Sequence, residues 1–241
     1  MTEKTTIPTR DAPAPFHNAA PDRWANRDRA IRRFVGTLER LVPKHGEVNR
    51  AALAALRTGL GRRSGTAIAM YQVIGQHIRG GDKSDRDLSF EQVDWNDAVC
   101  VVAALYGLHP VPLRRGGPES GNSNDDEDQA AALSWRTQSF PSFLPRTGDT
   151  DRDRALNRRV VSLIDADRDA LPVMLRHAIG LLDDSTAIDW FQLTRDVLDW
   201  ERDDRDVQKR WARAWWTSPS RDEIAKATED ASDTATAPGT L

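Results

Sequence analysis

The chain has 241 residues, 29% of them charged and 39% hydrophobic, and carries a formal net charge of −3. That balance excludes a uniformly basic nucleic-acid coat but leaves room for a local basic face, and it suits a chain with much surface for its volume, such as thin helical bundles. The single cysteine, Cys100, excludes an intrachain disulfide and, within the apolar run Ala98–Leu105, reads as a buried small hydrophobe in a reducing cytoplasm.

Residues 1 to 21 carry four prolines and little periodicity, so they read as a disordered leader. Thr2 to Ala20 is polar, so no signal peptide is expected. No apolar run approaches the roughly 20 residues of a membrane span, so a cytoplasmic protein without a membrane partner is expected.

An N-terminal helical bundle is predicted over 22–109. Its first helix starts near Asp22 as N-cap, presents Ile31, Phe34, Val35, Leu38, Leu41 and Val42 at helical spacing, and stops at Pro43 and Gly46. A second helix is predicted over 47–58, a third over 66–79 and a fourth, apolar through its second half and therefore buried, over 89–107. Between the second and third, Gly59, Gly61 and Gly65 form a loop holding Arg62 and Arg63.

Residues 110–150 read as a linker of Pro, Gly and acidic residues followed by an irregular segment. A C-terminal bundle follows over 151–217. Leu156, Val160, Leu163 and Ile164 give one apolar stripe, and Leu171, Met174, Leu175, Ala178, Ile179 and Leu182 give another. Asp169 is the predicted cap of that second helix, with Pro172 in its first turn. Ile188–Trp200 and Val207–Trp216 complete the bundle, and a disordered tail is expected over 218–241. The fold class is all-α, two small bundles joined by a linker.

Several motifs have plain structural readings. Asp165, Asp167 and Asp169 alternate like the start of a calcium loop, but its sixth and twelfth positions hold Ala170 and Arg176 instead of glycine and glutamate. No histidine pair has metal-ligand spacing, and no nucleophile elbow or phosphate-binding glycine loop is present. The placement of Trp190, Trp200, Trp211 and Trp215 among apolar residues favours core packing over base stacking. Trp216 is the one expected at a bundle edge or against a partner.

The basic residues carry the functional signal. From Arg23 to Arg63 eleven basic residues are opposed only by Asp28, Glu39 and Glu47. On a helical wheel with Ile31 at zero, Arg29, Arg40 and Arg33 fall at about 160°, 180° and 200°, a line opposite the apolar seam that spans roughly 16 Å. Arginine dominates over lysine, which suits bidentate phosphate contact. In the C-terminal bundle Arg158, Arg159 and Arg176 are the arginines least neutralised by immediate neighbours.

The segments Asn157–Arg168, Leu171–His177, Ile188–Trp200 and Val207–Trp216 resemble the small subunit of the type I-E CRISPR surveillance complex, the CasB family of Cascade. The resemblance extends more faintly over 47–107 and departs over 134–148, where the family tends to a short Ser-Leu-Gly-type segment and Ser139–Pro145 stands here. It implies an all-α subunit with no enzymatic activity or cofactor. The implied partners are other Cascade subunits, a second copy of the chain, crRNA, and target DNA including its displaced strand. The role implied is to steady the crRNA–target duplex and that strand in the R-loop. The resemblance points to Arg57, Arg62 and Arg63 in one bundle and to Arg158, Arg159 and Arg176 in the other. Arg29, Arg33 and Arg40 join them from the helical wheel. Two competing readings are a helical adaptor whose arginines meet acidic protein surfaces and a metal-dependent nuclease using Asp165, Asp167, Asp183, Asp184 or Asp189.

Overall fold

The computed structural model describes residues 21–43, 45–80, 90–111, 139–146 and 150–217. The expected leader up to residue 20, the Gly- and Asp-rich run within 112–138 and the tail from 218 onward lie outside the described residues.

The first helix, α1, spans Pro21–Glu39 and turns Ile31, Phe34, Val35 and Leu38 inward. Because it begins at Pro21, Asp22 lies inside its first turn and not at the cap expected for it. Proline fits that first position because its missing N–H would have had no intrahelical partner. Helix α2 spans Arg50–Arg57, capped by Asn49, whose side chain accepts the Ala52 amide at 3.0 Å. The predicted third helix is broken into a 3-10 turn Ile68–Met70, one α turn Tyr71–Ile74 (α3) and a second 3-10 turn Gly75–His77.

Competition for backbone groups explains why the segment stops at His77. Trp95 donates its indole N–H to the His77 carbonyl at 2.7 Å. Asn96 accepts the Arg79 amide at 2.8 Å and donates to its carbonyl at 3.0 Å. Those groups would otherwise have continued a helix that Gly75 already weakens. Both side chains belong to α4, Phe90–Leu108, whose Ala98–Tyr106 run is buried apart from half-buried Val101.

Helix α4 packs most extensively on α2. The contact is close enough that a Cβ on Gly107 would lie 2.9 Å from Leu56 Cβ and 3.0 Å from the Arg57 amide nitrogen. After the gap in description, Phe140–Phe143 forms a 3-10 turn, followed by α5 (Thr150–Ile164), α6 (Leu171–Ile179), α7 (Trp190–Leu198) and α8 (Asp206–Thr217). Among the described residues the architecture is all helical. Its one extended pairing is the Ile188 amide donating to the Val111 carbonyl at 3.1 Å.

The two predicted bundles share a core. Helices α1 and α4 both pack on α7, and buried residues of both halves form a single cluster from Ile31 to Trp215. The residues placed between the bundles contribute to it. Phe140 and Leu144 are buried, and Phe140 lies 5.7 Å from the Trp211 ring. Ion pairs stitch the same seam: Arg27 grips Asp199 through two bonds of 2.9 and 2.8 Å, and Arg195 lies 3.6 Å from Asp28.

Four tryptophans of the C-terminal half are core residues with satisfied indoles. Trp190 donates to the Val111 carbonyl, Trp200 to the Ala166 carbonyl, Trp211 to Asp196 and Trp215 to Asn157. Asp196 is a fully buried carboxyl that also accepts from Gln192 at 2.7 Å and from Arg210 at 2.5 Å. Burial pushes its pKa up, and Arg210, Trp211 and Gln192 act against that push. Trp216 is 56% exposed.

One capping expectation is corrected. The Ala170 amide at the start of α6 is taken by Asp167 at 2.8 Å, and Asp169 stays exposed. Ala170 already has helical backbone angles, so the acceptor three residues before it has the reach that an N-cap side chain needs.

Candidate nucleic-acid interface

Helix α5 turns Leu156, Val160, Leu163 and Ile164 into the core, which leaves Arg158 and Arg159 exposed between two inward positions. Helix α6 buries Leu171, Leu175, Ala178 and Ile179, which leaves Arg176 and His177 exposed in its last turn. Cationic side chains are favourable there, beside the carbonyl end of the helix dipole. Because α5 packs on α6, the three arginines border one cleft of about 710 Å³. Its apolar wall comprises Leu108 from the end of α4 with Met174, Ala178 and Leu181.

The N-terminal arginines approach the same rim. Gly61 has φ +70°, a left-handed conformation natural to glycine, and a Cβ there would lie 3.6 Å from an Nη of Arg176. The loop carrying exposed Arg62 and Arg63 therefore runs beside Arg176. Arg57, also exposed, donates from Nε to the Gly107 carbonyl at 2.6 Å, one residue before Leu108 of the cleft. That bond uses Nε and leaves the four N–H donors of its terminal nitrogens for other partners.

Among the described residues no hydrogen bond or ion pair engages the guanidinium groups of Arg62, Arg158, Arg159 or Arg176. Arg63 is partly offset by Asp97. Burial raises the Asp97 pKa, while a hydrogen bond from Ser64 and the charges of Arg168 and Arg63 lower it.

Arg29, Arg33 and Arg40 are exposed as the wheel predicts, yet none of them lines the cleft. Helix α1 packs on α3, α4 and α7, where Arg33 and Arg40 lie near His77, and Arg29 meets Asn26. Thr37 Oγ1 lies 3.1 Å from the Arg33 carbonyl, accepts from Arg40 at 2.9 Å and shares a hydrogen bond with His77 Nε2 at 2.8 Å. The pKa of His77 is lowered by burial first and by Arg40 and Arg33 next. Part of the basic run is structural: Arg27 is engaged by Asp199, and Arg32 sits 5.4 Å over the Phe191 ring.

Three of the five carboxylates nominated for a nuclease have other occupations. Asp167 holds the Ala170 amide, buried Asp189 caps α7 by accepting the Gln192 amide, and Asp165 lies 3.6 Å from Arg205. Among the described residues no group of three or more His, Cys, Asp or Glu is placed to hold a metal, and no helix is long and apolar enough to cross a membrane. Sequence reasoning missed the cleft wall itself. Leu108 comes from the end of α4, and Met174 and Leu181 come from α6 and the turn after it, so no local pattern announces their meeting.

Residues 52–216 match the family model described as CRISPR-associated protein Cse2. The CRISPR-associated protein Cse2 of Thermus thermophilus is 27% identical over 194 residues, covering 80% of this chain and 94% of that protein. The crystal structure of CasB from Thermus thermophilus aligns at 27% identity over 77% of this chain and 97% of its own, with a TM-score of 0.48. A chain of a CRISPR RNA-guided surveillance complex aligns at 17% identity over 85% of this chain and 98% of its own, with a TM-score of 0.50.

Proposed function

The chain belongs to the CRISPR-associated Cse2 family, and on that premise we propose that it is a non-catalytic subunit of a crRNA-guided DNA-surveillance complex. In this reading its arginines hold nucleic-acid backbone and steady the crRNA–target duplex and the displaced strand. The observation that carries it is the convergence of unpaired Arg158, Arg159 and Arg176 on one cleft, with the Arg62–Arg63 loop alongside.

The chemistry is sequence-independent. Guanidinium forks match phosphate oxygens, and phosphate contacts position a strand without reading it. R-loop formation exchanges one duplex for another of similar stability, so a few such contacts on the displaced strand suffice to shift it. Arg57 belongs to the same surface, with its Nε on the Gly107 carbonyl. Arg29, Arg33 and Arg40 form a separate basic patch that would meet a different stretch of backbone.

Ile68 at 74% exposure and Trp216 at 56% are apolar surfaces that a neighbouring subunit would cover. They favour a second reading, an adaptor whose arginines meet acidic proteins. A tagged pull-down of the full chain from its native host, with and without nuclease, separates the two. Partner proteins recovered with one RNA of uniform length support the surveillance-complex reading. Partners recovered without RNA, and unchanged by nuclease, support the adaptor.

A further inference from the structure

The cleft holds more than positive charge, and that difference selects among polyanions. Leu108 ends a helix whose preceding turns are buried, yet it is itself 36% exposed and stands within the arginine cluster. Met174 and Leu181, half-buried, continue the apolar wall. A rim that met only phosphates would gain nothing from an apolar interior. Duplex nucleic acid presents phosphates outward and keeps its base faces stacked, so it cannot use that wall.

We propose that the cleft takes an unstacked nucleobase of a single strand, with the flanking phosphates on Arg158, Arg159 and Arg176. This rests on the backbone-binding reading above and narrows it to single strands with splayed bases. The volume of about 710 Å³ lies in the range of small-ligand sites, roughly 300–1,000 Å³, and has room for a base with its sugar. His177 lines the cleft beside the arginines. Imidazole and guanidinium planes are the surfaces on which unstacked bases are held in single-strand recognition. Every base has a π face, so the site tolerates any sequence, and one inserted base contributes roughly ten- to hundredfold in affinity.

The test compares two probes of equal charge and length, a short single-stranded DNA and the same phosphate–deoxyribose strand made entirely abasic. Binding to the full chain is read by fluorescence anisotropy. The expected result is that the abasic strand binds at least about tenfold more weakly, and that the M174Q/L181Q variant, checked for native helicity, brings the two affinities together. Equal affinity of the unaltered chain for both strands overturns base insertion and leaves the backbone-binding reading standing. A preference for bases that survives M174Q/L181Q also overturns the assignment to this cleft. If neither strand binds, or if R158E/R159E/R176E binds both as the unaltered chain does, both readings fall together.

Discussion

Gly61 faces the guanidinium of Arg176, so close that a Cβ on the glycine would lie 3.6 Å from it, although 115 positions separate the two in the chain. The approach joins the basic loop of the N-terminal half to the last turn of α6. If both serve one strand, their contributions should appear together in the salt dependence of binding. Each phosphate contact on a single strand contributes about 0.7 to the slope of log K against log salt. Replacing Arg158, Arg159 and Arg176 by Gln should make that slope shallower by about 2. A titration of single-stranded DNA at several salt concentrations measures it, and an unchanged slope would place the phosphates elsewhere.

Arg27 belongs to the basic run by sequence and to the core seam by geometry. Its two bonds to Asp199 tie α1 to the end of α7 at a site where both side chains are about one-fifth exposed. Asp199→Ala should cost about 1–2 kcal/mol of stability while leaving the salt slope of binding unchanged. Chemical denaturation and the same titration check the two halves of that statement.

Phe140 tests whether the segment before α5 is a tether or a part of the core. It is buried against Trp211, so Phe140→Ala should destabilise by about 3–5 kcal/mol, measured by denaturant unfolding. A change under about 1 kcal/mol would mean that the segment lies on the surface.

His77 makes stability depend on pH. Its folded pKa is lowered from 6.5 by burial and by Arg40 and Arg33. The unfolded chain therefore takes up a proton first as pH falls. The contribution is present in full above about pH 6.5 and is lost as pH falls from there through the lower folded value. Denaturation midpoints should drop between neutral and mildly acidic pH, and His77→Gln should flatten that part of the profile. An identical slope in H77Q would assign the dependence to other groups.

The sequence exposed what periodicity can expose. The stripes Leu156–Ile164 and Leu171–Leu182 are buried as their spacing demands, apart from half-buried Met174, because a helix must hide its apolar face. Arg158, Arg159 and Arg176 were legible as cations lacking local acidic partners. Their meeting was not, because it depends on how α5 seats on α6. The early end of the predicted helix over 66–79 was hidden for a similar reason: Trp95 and Asn96, from the next helix, capture the backbone groups of His77 and Arg79. Arg29, Arg33 and Arg40 share a helix face as the wheel says, but a wheel carries no information on what that face looks toward. Asp196 shows the limit most plainly. A charged residue in the pattern of α7 reads as surface, and only the arrival of Trp211 and Arg210 from α8 makes its burial tenable.

The role proposed for Arg158, Arg159 and Arg176 is to hold nucleic acid within the assembled complex. The most direct measurement is target-DNA retention by complexes assembled with the unaltered chain or with R158E/R159E/R176E, after confirming that each contains the same subunits and crRNA. Faster dissociation of target DNA from the variant complex, by tenfold or more at physiological salt, is the predicted result. Equal dissociation rates from two complexes of identical composition would contradict it.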